Sequence, residues 1–170
     1  MKVAPFLFLA ACALPAYSQS NPIPALYKSQ WSNIKNLVIR AAEKMPEEAY
    51  GFKPSDDVRT FGQMVAHIGD AQGFFCGAIN GEQKNFGIEK GKTSKTEIVA
   101  ALKEALAFCD RAYERLNEEN VAGMIRVGQN ERPMLAPLLT NLTHTWEHYG
   151  NLVTYMRMKG VVPPSSEPRR

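Results

Sequence analysis

An all-α four-helix bundle, with a long connection between its second and third helices, is the fold this sequence predicts. Three observations predict it. Four stretches carry apolar residues at three- and four-residue steps, the period of a helix with one buried face. Two of those stretches open on a capping box, Thr60 with Gln63 and Ser94 with Glu97, in which each end satisfies an orphan amide of the other. At 170 residues the chain supports one core, so the four stripes can be covered only against one another.

The opening MKVAPFLFLAACALPAYSQS stands outside the bundle. Lys2 gives a short positive region, Phe6 to Leu14 an apolar one, and Ala16 and Ser18 the small residues of a signal-peptidase site. Residues 1–18 are therefore expected to be a signal peptide, residues 19–166 the bundle domain and 167–170 a tail. Leu9-Ala10-Ala11-Cys12 offers an alternative, a lipoprotein box with Cys12 as the lipid-anchored residue. The apolar run falls well below the ~20 residues of a bilayer span. Either route exports the protein, to the periplasm, to the medium or to a lipid tether on the envelope. Of the other cysteines, Cys76 and Cys109 are open to one disulfide in an oxidising compartment, but nothing in the sequence pairs them. Their apolar helical settings favour two free, buried side chains.

The first helix is expected from about Tyr27 to Met45, with Trp31, Ile34, Leu37, Val38 and Ala41 as its stripe and Pro46 as its stop. A structured loop follows, its Tyr50 and Phe52 set to pack on the bundle end. The second helix runs from the Thr60 cap to about Ile79. It carries Gly69, Gly73 and Gly77 at four-residue spacing. Each weakens a helix, so either a neighbour's backbone comes close or the helix is locally weak. Asn80 to Lys95 is a polar connection. The third helix, capped by Ser94, runs to about Leu116, and residues 117–132 read as a short strand or an irregular crossover. Pro133 suits the first turn of the last helix. That helix is centred on Leu138 to Gly160, with Leu138, Leu142, Trp146, Tyr149, Val153 and Met156 able to pack.

The net charge of +3 comes without a basic stripe or interleaved aromatics, which gives no support to nucleic-acid binding. Chemistry concentrates in the histidines. His144 and His148 lie one helical turn apart on one face, the spacing at which two imidazoles share a metal ion. The third histidine of the chain, His67, sits on the second helix and would complete a three-nitrogen set with open positions. The competing reading is a surface pair and a core histidine, and spacing alone leaves both open. A zincin is rejected, because Thr145 follows His144 where glutamate is required and Glu147 points off the histidine face. Asp70, three residues after His67, could orient its ring. Asn141 and Tyr155 flank the pair on the last helix and are secondary candidates to orient a substrate.

In combination, His67 within TFGQMVAHIGDAQGFF, the pair in LTHTWEHYGNLVTYMRMKG and the following VVPPSS resemble the DinB-like superfamily of small bacterial four-helix proteins, also called DinB/YfiT-like putative metalloenzymes, over Tyr27 to about Ser166. The resemblance implies that His67, His144 and His148 bind a divalent metal, with water at the open positions. Zinc is the default for three imidazoles, and nickel, iron and manganese also suit nitrogen donors. It further implies a metal-dependent hydrolase or thiol transferase acting on an unknown small molecule, since some members are thiol-dependent S-transferases. The alternatives are a metal-containing binding module and a structural helical-bundle homodimer without catalysis. The chain departs from the family in lacking a tryptophan near the second-helix cap and in its leader, which argues against assuming a cytoplasmic thiol.

Overall fold

The computed structural model describes residues 20–168, so the leader and the Cys12 lipobox lie outside the described residues. Its order is α1 (Ile23–Lys44), a 3-10 turn at Glu47–Ala49, α2 (Phe61–Asn80), a one-turn α3 (Ile88–Gly91), α4 (Lys95–Glu114), strands β1 (Met124–Val127) and β2 (Asn130–Pro133), and α5 (Leu135–Met158). The four long helices form the bundle. α2 packs against α4 and α5, and α1 packs against the same two, so α1 and α2 stand diagonally across the core.

Local sequence explains the boundaries. Both capping boxes form, with the Thr60 hydroxyl accepting from Gln63 N and the Ser94 hydroxyl from Glu97 N. Helix α1 begins earlier than its stripe suggests, because Pro24 falls in the first turn, where its missing amide breaks no bond. Pro133 ends β2, and Pro137 takes the place in the first turn of α5 expected for Pro133. Residues 124–133 form an antiparallel hairpin with Ile125 opposite Arg132 and Val127 opposite Asn130. Gly128 turns it at φ +63°, a conformation that costs other residues more. Tyr50 and Phe52 do close the bundle end, packing edge-on against Phe61 and Tyr155.

The glycine row of α2 is a close approach, made by the chain's own connection rather than by another helix. A Cβ at Gly73 would collide with the Lys84 carbonyl, and one at Gly77 would stand 2.7 Å from the Glu82 carbonyl. At Gly69 the obstacle is the Ile88 side chain. Residues 81–91 are thereby laid along α2 toward His67.

Cys76 and Cys109 are corrected from free thiols to a disulfide joining α2 to α4, with Cα atoms 5.3 Å apart. The packing of the two helices, invisible to spacing, puts them within reach of each other. The partner expectation is corrected with it. A lipid anchor needs a free cysteine, and both described cysteines are consumed in this bond. No described cysteine is left free to carry the anchor. Trp146, expected in the core, is instead 37% exposed.

Candidate metal centre

Two helices position three imidazoles. Helix α2 turns Phe61, Val65, Ile68, Gln72 and Cys76 into the core, which leaves His67 at its edge toward α5. Helix α5 buries Leu138, Asn141, Leu142, Thr145, Tyr149 and Leu152, and His144 and His148 stand beside that stripe. The Nε2 of His144 lies 3.2 Å from that of His67 and 3.0 Å from that of His148. The three rings offer ligand atoms all within 4.8 Å of one another, the one such group found among the described residues.

Their charge state suits that geometry. Burial, then the neighbouring His148 and His67, then Arg59, push His144 down to about 4. Burial and the Arg59 charge also lower His67, against the opposing pull of Glu89 and Asp70. Burial, followed by His67, lowers His148. All three rings are neutral at pH 7. A neutral imidazole has one N–H and one lone pair, so three nitrogens meeting at a point cannot all be paired by one another's hydrogens. A cation resolves the conflict. Nitrogens held about 2.0–2.1 Å from a tetrahedral zinc would stand roughly 3.3 Å apart, close to the spacings here. The donor set therefore fits a divalent ion.

The outward nitrogens differ. Nδ1 of His67 is 3.9 Å from Glu89 Oε2. Nδ1 of His148 is 3.4 Å from the Asn151 amide. Nδ1 of His144 is buried without a partner, beside the Phe75 ring that packs edge-on to His144 at 5.2 Å. Glu89 is held in turn by Arg59, whose Nε donates to Oε1 at 3.0 Å.

The three secondary candidates have their polar atoms committed to protein partners. Asp70 caps α3, accepting from Ile88 N at 2.8 Å and Glu89 N at 3.0 Å, and so sets the backbone that presents Glu89 to His67. Tyr155 donates to the Arg59 carbonyl at 2.9 Å and steadies the residue that holds Glu89. Asn141 is fully buried, its amide donating to Gln72 Oε1 at 2.7 Å and its carbonyl oxygen accepting from Tyr113 at 2.9 Å. Gln72 and Asn141 tie α2 to α5 five residues beyond His67 and three before His144. That bond fixes the mutual register of the two helices bearing the imidazoles.

Sequence reasoning missed Gln72, Glu89 and Arg59. Gln72 had a signal, a polar residue on the stripe of Val65, Ile68, Cys76 and Ile79. Glu89 and Arg59 lie in loop sequence with no period to single them out.

The family model of the DinB superfamily matches residues 30–152. A search of curated proteins finds no match. Among solved structures, a DinB-like protein from Bacillus cereus is similar with a TM-score of 0.67 and 17% identity, over 81% of this chain and 93% of that one. A DinB-like protein from Bacillus subtilis has a TM-score of 0.66 and 22% identity, over 85% and 99%. A mutant mycothiol-dependent maleylpyruvate isomerase has a TM-score of 0.59 and 12% identity, over 76% of this chain and 60% of that one.

Proposed function

The chain belongs to the DinB superfamily, and from that premise we propose that it is a divalent-metal-dependent hydrolase or thiol transferase acting on a small electrophilic substrate. One observation carries the proposal: three neutral Nε2 atoms converge within hydrogen-bond distance without the hydrogens to pair them. His67, His144 and His148 would hold the ion, with zinc as first choice and nickel, iron and manganese as alternatives. A divalent ion in that place supplies Lewis-acid activation of an entering oxygen or sulfur nucleophile.

The protein's own groups do the rest. Glu89, anchored by Arg59, sets a negative charge behind His67. Phe75 covers one side of His144 and keeps water from it. The Gln72–Asn141 bond holds the two halves of the site in register. Three neutral donors leave an ion's charge uncompensated, so an anionic nucleophile is drawn in. This field favours the second reading, transfer of a thiol, and the mycothiol-dependent isomerase among the similar structures supports it.

We also place the protein outside the reducing cytoplasm. The signal-peptide pattern of the first 18 residues and the Cys76–Cys109 disulfide support that placement.

The test loads the mature chain with zinc, nickel or manganese and screens activated esters with water alone and with a low-molecular-weight thiol. Turnover that needs the metal and disappears in His148→Ala is expected. Metal uptake without turnover under either nucleophile would leave a binding module and end the enzyme reading.

A further inference from the structure

The seam between α2 and α5 continues past the histidines into a cleft of about 260 Å³. Its walls are Phe74 and Phe75 from α2, Ala136, Pro137 and Thr140 from α5, and the hairpin residues Val127 and Arg132. Phe75 belongs to both places, since its ring also packs on His144. Thr140 lies one turn before His144, about 6 Å along the helix. A molecule in the cleft therefore has one end within a turn of the metal centre.

The hairpin decides what such a molecule is. Residues opposite each other on antiparallel strands share a face. The register pairs Ile125 with Arg132 and Val127 with Asn130. Ile125 packs against the core, so this face turns inward and carries Arg132 over the cleft. Among the described residues no carboxylate stands within salt-bridge distance of Arg132. Beneath it Phe74 is 67% exposed, an apolar ring that the fold leaves in water. An unpaired guanidinium beside the exposed Phe74 ring and the half-buried Phe75 ring is complementary to an apolar body bearing a carboxylate. At about 30 Å³ of liquid volume per water the cleft takes about nine waters' worth, or a molecule of roughly ten non-hydrogen atoms.

We propose that this cleft anchors a small organic anion, its carboxylate on Arg132 and its apolar or aromatic body against Phe74 and Phe75. The anchor presents the far end of the molecule to the three histidines. What happens at that end rests on the metal reading, but binding in the cleft does not.

The experiment titrates the mature chain, stripped of metal with a chelator, with 3-phenylpropionate and with its uncharged amide. Calorimetry and ligand-observed NMR read the binding. The acid is expected to bind, and the amide to bind about ten-fold more weakly or worse. Arg132→Ala is expected to reduce the acid's affinity by a similar factor. Arg126→Ala removes the same charge from the outward face of the hairpin and should change nothing. Equal losses in the two variants, no loss in Arg132→Ala, or no binding of the acid at millimolar concentration would each overturn the proposal. Binding that requires added zinc and fails in His144→Ala would place the anion on the histidines, ending the cleft assignment while upholding the metal reading. Arg132-dependent binding in a protein that takes up no zinc would do the opposite.

Discussion

On the inner face of the α2–α5 seam, Gln72, Asn141, Tyr113 and Thr145 satisfy one another or nearby carbonyls. On the outer face His67, His144 and His148 aim lone pairs at one another and lack the donors to match. Apart from Tyr113 on α4, both faces are built from polar residues on the same two helices, a few positions apart. Their difference separates two uses of polarity. Inside, a hydrogen-bond network fixes which residues face each other. Outside, unsatisfied nitrogens are left for something the chain does not supply. Substitutions on the inner face should therefore appear first as lost stability, and those on the outer face as lost metal.

The largest effect on stability belongs to the disulfide that staples α2, the helix both faces share, to α4. Its partners are 33 residues apart, and closing such a loop is worth about 3–4 kcal/mol by unfolded-chain entropy. Urea denaturation with and without reductant should show a loss of that order. Asn141→Leu comes next. It leaves Gln72 Oε1 buried without a donor, and about 2 kcal/mol should be lost in metal-free protein. Pairing it with Gln72→Leu should recover part of that loss, because two missing partners are cheaper than one. His144→Ala in the same assay should stay within about 1 kcal/mol of the parent. If His144→Ala proved as destabilising as Asn141→Leu, the two faces would not differ in kind.

Glu89→Gln tests the outer face one step from the imidazoles. It should lower zinc affinity about ten-fold with the melting temperature of metal-free protein unchanged, as expected where a carboxylate stands behind a ligand ring. A further effect is a tilt with pH. The histidines are held below their ordinary 6.5, His144 at about 4. Between those values the unfolded chain binds more protons than the folded one. Metal-free protein should therefore keep this contribution above about pH 6.5 and lose it as the pH falls toward 4. Denaturation midpoints across that range will show the slope, and a midpoint rising toward acid would contradict it.

The four long helices were legible because a buried stripe repeats and a capping box is a local signal; the Thr60 and Ser94 caps begin α2 and α4 as read. His67, His144 and His148 could be nominated by spacing, but their meeting depends on how α2 packs on α5. In the sequence Asn141 reads as a residue that orients a substrate because a stripe is counted in apolar residues, and a buried amide on that stripe looks like a gap. Its partner Gln72 hides in the same way. The disulfide was illegible because Cys76 and Cys109 are brought together by two helices whose adjacency no local pattern states. The one-turn α3 and the hairpin are short segments. α3 is held by long-range contacts such as the Asp70 cap and the glycine row, which leave no periodic trace.

The most direct test is metal content by mass spectrometry on the purified protein, reconstituted with zinc, nickel or manganese, beside His67→Ala and His144→Ala. The structure predicts close to one ion per chain in the parent and almost none in either variant, with both variants folded by circular dichroism. No metal in the parent, or an ion retained when either histidine is removed, would contradict a shared three-histidine centre.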